Sequence, residues 1–283
     1  MTGASTPSSA LDGELAQMHP AERSAAASFL AQHPPGAGAP VAVVIPAYNE
    51  EPTVATVVEE IPSQIAGLAA EVIVVVDGAT DATAEKAASA GALVCDVKVN
   101  RGQGLVFKLG YWLARKRGAE VIATIDADGQ YEPLELDRLV EPIISGRADF
   151  VNGSRRLGTE LTTDPMRHAG VIFFGGVVSV LLRQRITDPA CGIRAFRASL
   201  TGAITLEQRQ YQTSEALIAS AMSGFRVIEV ATTMRDRPTG ATKTKKGPNL
   251  LYGLRFARAI LRTWSRERRA ARTRLRSENT QYS

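Results

Sequence analysis

The sequence predicts an α/β fold, a Rossmann-like and mostly parallel central sheet with helices on both faces. Two observations predict it. Short, continuous apolar runs alternate in strict order with segments whose apolar residues follow helical spacing, and each run ends in a polar cluster. Continuous runs mark strands buried on both faces, whereas half-exposed strands alternate. Strand–helix alternation brings right-handed crossovers and a sheet covered on both sides.

The first strand is Val41-Ala42-Val43-Val44-Ile45, and Pro52 opens a helix with Val54, Val57, Val58 and Ile61 on one face. A second strand over Val72 to Val76 precedes a helix over Thr83 to Ala90. The third, Leu93 to Val97, leads to a helix carrying Leu105, Leu109, Trp112 and Leu113. The fourth, Val121 to Ile125, leads to a helix over Leu134 to Ile144. Residues 1–40 are rich in Ala, Ser, Gly and Pro. A short helical pattern near Ala21 to Ala31 is broken by His33-Pro34-Pro35-Gly36, and the segment reads as a flexible N-terminal arm. The catalytic-type domain is expected over 41–245, and a basic amphipathic helix and tail over 246–283.

Composition bounds the function. The chain has 283 residues, 45% hydrophobic and 22% charged, which is ordinary for a globular α/β protein. The cysteines Cys95 and Cys191 give neither a disulfide framework nor zinc-ligand spacing. The N-terminus lacks signal-peptide layout, and the longest apolar run, Val171 to Leu182, falls short of the roughly 20 residues a membrane span needs. A cytoplasmic protein is expected, with a peripheral place at the inner membrane face as a variant.

Ligands of such sheets bind beyond the carboxyl ends of the strands. There the sequence sets Pro46-Ala47-Tyr48-Asn49-Glu50, Asp77-Gly78-Ala79-Thr80-Asp81, Asn100-Arg101-Gly102-Gln103-Gly104 and Asp126-Ala127-Asp128-Gly129-Gln130. Four polar clusters at equivalent positions converge on one rim. Asp126 and Asp128 are the sharpest feature, because paired carboxylates leaving an apolar strand are costly unless a cation neutralises them. Oxygen ligands suit Mg2+ or Mn2+, either of which could bridge a nucleotide diphosphate. The structural alternative is an Asx-turn in which Asp128 caps the next helix.

These motifs resemble the family 2 inverting glycosyltransferases of GT-A fold. The likeness runs on through Asn152-Gly153-Ser154-Arg155, Asp188-Pro189-Ala190-Cys191-Gly192-Ile193-Arg194 and Arg237-Pro238-Thr239-Gly240-Ala241-Thr242-Lys243. The nearest branch holds dolichyl-phosphate mannose synthase and polyprenyl-phosphate glycosyltransferases. The resemblance implies a nucleoside-diphosphate sugar donor, UDP- or GDP-linked, and a lipid phosphate acceptor. It implies that Pro46, Tyr48, Glu50 and Asp77 line the base and ribose pocket, with Gln103 nearby. Asp126 and Ala127 would face the sugar nucleotide, and Asp128 and Gln130 would hold the metal. Arg155, Arg194, Arg237 and Lys243 would neutralise donor or acceptor phosphate. Three positions depart from the family pattern: Val76 replaces an acidic residue, Gln103 replaces a lysine, and no serine follows Arg167-His168-Ala169 in the manner of that branch.

A phosphate acceptor needs no general base, while a hydroxyl acceptor does. For the latter the candidates are Glu215 and Asp188, each with a structural alternative; Glu215 near a helix start would meet the helix dipole. Toward the C-terminus, Leu250, Leu251, Leu254, Ala257, Ile260, Leu261 and Trp264 form an apolar stripe among Arg255, Arg258, Arg262, Arg266, Arg268, Arg269, Arg272, Arg274 and Arg276. Residues 250–276 therefore suit either packing on the domain or an anionic membrane surface. Nucleic acid is not expected, for want of interleaved aromatic residues. Homo-oligomer formation is left open. A dinucleotide-dependent dehydrogenase is disfavoured because Gly102-Gln103-Gly104 lacks the third glycine and follows the wrong strand. A nucleotidylyltransferase would need a glycine-rich basic loop after the first strand, and a non-catalytic nucleotide-sugar binding module is the non-enzyme alternative.

Overall fold

The apolar runs form strands because each has two cores to fill. The computed structural model describes residues 7–161, 165–237 and 249–281. Its first half comprises α1 (Pro7–Ala16), α2 (Pro20–Gln32), β1 (Val41–Ala47), α3 (Val54–Glu59), the short β2 (Gln64–Ile65), β3 (Leu68–Asp77), α4 (Thr83–Ser89), β4 (Leu93–Val97), α5 (Gln103–Arg117) and β5 (Val121–Thr124). There follow α6 (Leu136–Ile144), β6 (Phe150–Glu160), α7 (Pro165–Leu182), β7 (Arg194–Arg197), α8 (Leu200–Ala203), α9 (Gln212–Met222), β8 (Val227–Met234) and α10 (Asn249–Gln281).

Along β1, Val41, Val43 and Ile45 enter one hydrophobic cluster, while Ala42 and Val44 enter the other. β3 divides in the same way, with Ile73 and Val75 opposite Val74 and Val76. This is the period of two acting on a strand with no wet face. Across the sheet the order is β4-β3-β1-β5-β7-β6-β8, with β2 on the edge of β3. β4, β3, β1 and β5 run parallel; β7 alone is antiparallel to both its neighbours, and β8 pairs parallel with β6. The four expected strands thus end on one rim.

Residues 7–40 depart from the expected flexible arm. From Pro7 onward the segment is mostly helical, and α2 buries Ala25, Ala26, Phe29 and Leu30 in the main core beside β4. The spacing i, i+1, i+4, i+5 is a helical stripe. Its alanines gave the segment a low-complexity look while supplying the flat surface that lets Phe29 and Leu30 reach the sheet.

The C-terminal stripe also divides. Phe256, Ala259, Ile260 and Thr263 of α10 are buried, and Phe256 meets Phe174 of α7 edge to face at 4.7 Å. Leu251, Leu254 and Leu261 point outward instead. The helix therefore packs on the domain through a face about a third of a turn from the one that a count of leucines indicates. The side chains of Leu250, Arg274 and Arg276 lie outside the described residues.

Candidate active site

A cavity of about 1510 Å³ opens at the carboxyl rim of the parallel strands. Its polar end is lined by Pro46, Tyr48, Glu50, Asp77, Gln103, Asp126, Ala127, Asp128, Gln130 and Arg237. These belong to the sequence-derived candidates, and the fold brings them together from four loops and the exit of β8. Lys243 lies outside the described residues.

Each loop is fastened to its neighbour. Asn49 adopts the left-handed region at φ 53° and its Oδ1 accepts from Thr80 N at 2.8 Å, joining the loops after β1 and β3. Asp77, almost fully buried, accepts from the backbone N–H groups of Arg101 at 2.6 Å and Gly102 at 2.9 Å. Burial raises its pKa, while those two donors hold the shift back. Asp77 therefore shapes the loop after β4 as well as lining the cavity.

Asp126 and Asp128 stand just past β5. Gly192 abuts the first of them so closely that a Cβ there would lie 2.2 Å from Asp126 Oδ2. Asp128 accepts from Gln130 N at 3.1 Å through Oδ1, an Asx-turn, but it does not cap the helical turn that follows, whose N-cap is Glu132. Asp128 Oδ2 accepts from Arg237 Nη2 at 3.0 Å, and the same nitrogen donates to Glu50 Oε1 at 3.1 Å. Gln130 gives its Nε2 hydrogen to the carbonyl of Arg235 at 3.1 Å, tying this turn to the exit of β8.

The acidic residues of this wall offer oxygen donors of the type a divalent cation takes. Two carboxylates converge on one positive group at a cavity wall, which is the electrostatic demand a hard cation would meet. Among the described residues no cluster of three His, Cys, Asp or Glu side chains could enclose a metal. Of the two expected ligands, Asp128 would supply protein oxygen, with Asp126 beside it, whereas the Gln130 amide is tied to the Arg235 carbonyl through Nε2; the remaining positions would fall to ligand or water.

Four expected residues are placed elsewhere or otherwise engaged. Asp188 is fully buried and forms a two-pronged pair with Arg155, at 2.6 Å to Nε and 2.8 Å to Nη2. Asp188 itself does not line the cavity, and its charge is held by the Arg155 guanidinium. Arg155 reaches the cavity wall, but its charge is matched by Asp188 and, at 3.7 Å, by Glu160. Arg194 is fully buried beneath the site; its Nη1 donates to Thr213 O at 3.1 Å and its guanidinium lies 5.7 Å from the Phe107 ring. It does not line the cavity, and its Nε and Nη2 have no hydrogen-bond partner among the described residues. Glu215 is buried in the first turn of α9, accepts from Glu207 N and Gln208 N, and pairs with Arg266 at 2.8 Å. That carboxylate holds a loop and does not line the cavity. Both free thiols are buried, and that burial pushes Cys95 up to about 12 and Cys191 up to about 11.

The far end of the cavity was not legible as a site. Ala169, Val171, Phe173 and Phe174 of α7, with Tyr252, Leu254, Phe256 and Ala257 of α10, give it an apolar lining. Arg209 and Gln210 stand on the loop before α9. Two signals in the sequence pointed to it: the apolar run after Val171, which length alone had set aside as too short to span a membrane, and the stripe that includes Leu254 and Ala257.

Known proteins resemble this chain in sequence and in fold. The family model described as glycosyl transferase family 2 matches residues 42–204. A dolichyl-phosphate hexose transferase of Haloferax volcanii is 31% identical, over 81% of this chain and 95% of the relative. An undecaprenyl-phosphate mannosyltransferase of Micrococcus luteus is 30% identical, over 73% and 88% respectively. Among solved structures, glucosyl-3-phosphoglycerate synthase of Mycobacterium tuberculosis, in complex with Mn2+, UDP and phosphoglyceric acid, superposes with a TM-score of 0.60. It is 21% identical, covers 86% of this chain and 82% of its own, and establishes the GT-A type of fold.

Proposed function

The chain belongs to glycosyl transferase family 2, and from that premise we propose that this glycosyltransferase moves a sugar, with inversion, from a UDP- or GDP-linked donor to a polyprenyl phosphate. The observation that carries the reading is the division of one cavity into a carboxylate-rich end at the strand rim and an apolar end between α7 and α10. The first suits a nucleotide with a divalent cation; the second suits an isoprenoid tail. The named lipid-phosphate acceptors of the Haloferax and Micrococcus relatives point the same way.

Bound Mg2+ or Mn2+ would supply charge stabilisation to the departing diphosphate. The protein's own residues set the geometry. Pro46, Tyr48 and Asp77 border the place for base and ribose, and Asp126 stands where the sugar would lie. Asp128 is the metal-facing carboxylate, and Arg237 is a second positive group for the diphosphate. A phosphate acceptor brings its own anionic oxygen, so no proton need be removed. The lining carboxylates agree with that chemistry: Glu50 and Asp128 are bridged by Arg237 and Asp77 accepts two backbone N–H groups. Glu215 and Asp188, the bases a hydroxyl acceptor would have required, are engaged in the interior.

No described helix is long and apolar enough to cross a membrane. The outer faces of α7 and α10 nonetheless suit an anionic bilayer. Ile172, Phe173 and Val180 are exposed on α7, and on α10 the exposed Leu251, Leu254 and Leu261 interleave with exposed Arg255, Arg258 and Arg262. Phe173 and Leu254 also line the cavity, so its apolar mouth and this face are continuous. We place the enzyme at the cytoplasmic membrane face, taking its acceptor from the leaflet.

The experiment is incubation of the purified protein with Mn2+, radiolabelled UDP- or GDP-hexoses and undecaprenyl phosphate. Label extracted into organic solvent is the expected product. Label transferred only to water-soluble acceptors would overturn the lipid reading, and tight metal-dependent binding of neither UDP nor GDP would overturn the donor reading.

A further inference from the structure

Four arginines line the cavity among the described residues: Arg101, Arg155, Arg209 and Arg237. Three already face carboxylates. Arg101 lies 3.1 Å from Glu22 on α2, Arg155 is clasped by Asp188, and Arg237 bridges Glu50 and Asp128. The side chain of Arg209 has no ion-pair or hydrogen-bond partner among the described residues.

Its backbone is firmly held. Gly104 N donates to the Arg209 carbonyl at 2.8 Å, and a Cβ on Gly104 would stand 1.9 Å from the Gln208 carbonyl oxygen. Only glycine permits that approach. From the other side the buried Glu215 carboxylate accepts from Glu207 N at 3.0 Å and Gln208 N at 2.8 Å, with Arg266 behind it. Next in sequence, Tyr211 packs on Phe256 at 5.2 Å between ring centroids. The segment 207–210 is thus fixed at the seam between the loop of Gly102 and Gln103 and the apolar wall of α10. It carries Arg209, an exposed residue that lines the cavity and has no carboxylate partner among the described residues.

We propose that Arg209 binds the phosphate group of the acceptor, and that Glu215 is a positioning residue that shapes the loop presenting it. The proposal rests on the reading of the acceptor as a phosphate. A guanidinium without a carboxylate partner keeps its donors available for a phosphate monoester, which it can engage through two parallel N–H bonds. At the seam it would hold the anionic oxygen toward the sugar while the remainder of the acceptor lies along α10. The recognised chemistry is a phosphate monoester, whether carried by an isoprenoid or by a small soluble acid.

The test is calorimetric titration of the full chain, loaded with Mn2+ and whichever of UDP or GDP it binds, with farnesyl phosphate, farnesol and phosphoglyceric acid. Wild type is expected to bind a phosphate probe, and Arg209→Gln to weaken that binding about tenfold or more, the loss of a charge-assisted hydrogen bond. Nucleotide–Mn2+ affinity should stay within about twofold, and Arg209→Lys should recover part of the loss. Glu215→Gln should raise the acceptor KM more than it lowers kcat. Preference for farnesyl phosphate over phosphoglyceric acid identifies a lipid source, and the reverse preference a soluble one. Unchanged phosphate binding in Arg209→Gln, or an equal loss for farnesol, overturns the role of Arg209 and leaves the acceptor reading standing. Wild-type protein that binds nucleotide but neither phosphate overturns the acceptor reading, and this proposal with it.

Discussion

Nη2 of Arg237 lies 3.0 Å from Asp128 Oδ2 and 3.1 Å from Glu50 Oε1, so a single nitrogen bridges carboxylates contributed by the loops after β5 and β1. The guanidinium stands beside the position proposed for the metal, and two cations so close repel. Arg237→Gln is therefore expected to raise Mn2+ affinity of the nucleotide-free protein by about threefold to tenfold, measured by calorimetry. Turnover should fall, because the variant lacks a positive group for the diphosphate. Weaker Mn2+ binding in the variant would mean that Arg237 organises the carboxylates and does not compete for them.

Asp128→Ala addresses the metal directly. Transfer should fall by roughly 100-fold or more and metal-dependent nucleotide binding should disappear. Tm should change little, because Arg237 keeps Glu50 as partner. Wild-type turnover in this variant would remove Asp128 from the metal site.

The core gives a prediction independent of function. Phe29 of α2 is buried against β4 in the main cluster, and its ring meets His33 at 4.8 Å. Phe29→Ala should destabilise the protein by about 3 kcal/mol in urea unfolding. A loss near zero would show that α2 contributes no core and would return the segment to the flexible arm expected from composition.

How much was legible follows from what sequence signals encode. The strands were readable because β1 and β3 lie between two cores, which forces runs such as Val41 to Ile45 and Val72 to Val76. The polar rim was readable because Asp77, Asp126 and Asp128 sit at strand ends that topology brings together. The roles of Asp188, Arg194 and Glu215 were not, since each is set by a partner distant in sequence: Arg155, Thr213 O and Arg266. Periodicity reports a face but not its neighbour. For the same reason the buried face of α10 was misjudged, and Arg209, a lone arginine outside any motif, carried no signal.

Acid sensitivity should trace to Asp149 at the start of β6. Its carboxylate pairs with Arg226 and Arg197, each at 3.0 Å, and hydrogen bonds from Arg226 hold its pKa well below the usual carboxylate range despite partial burial. A depressed folded-state pKa means stability that is present above the unfolded value near 4 and lost as pH falls below it. Asp149→Asn should lower Tm by a few degrees at pH 7, roughly 1 kcal/mol for a partly exposed network. The gap from wild type should close steadily below about pH 4. A gap independent of pH would mean that the contribution is packing and not charge.

Membrane attachment should depend on α7 as much as on the arginines of α10. Phe173 is 64% exposed, Val180 78% and Leu254 60%, on helices joined by the Phe174–Phe256 contact and by Trp264 Nε1 donating to Leu181 O at 3.2 Å. From Ala169 to Leu182 the helix carries no charge, so this face offers water nothing to hydrate. Burying an exposed Phe or Leu in the headgroup region is worth about 1.5–3 kcal/mol, and each nearby arginine about 1 kcal/mol against anionic lipid. Wild type should therefore sediment with vesicles containing phosphatidylglycerol and much less with neutral phosphatidylcholine vesicles. Added salt should reduce the binding only in part, because the apolar contribution is not screened. Phe173→Asp with Leu254→Asp should lower vesicle binding about 100-fold while leaving Tm and nucleotide–Mn2+ affinity near wild type. Equal binding by wild type and the double variant would move the attachment to the arginines alone. No binding by wild type would leave the face to a second copy or a partner protein, which analytical ultracentrifugation would distinguish.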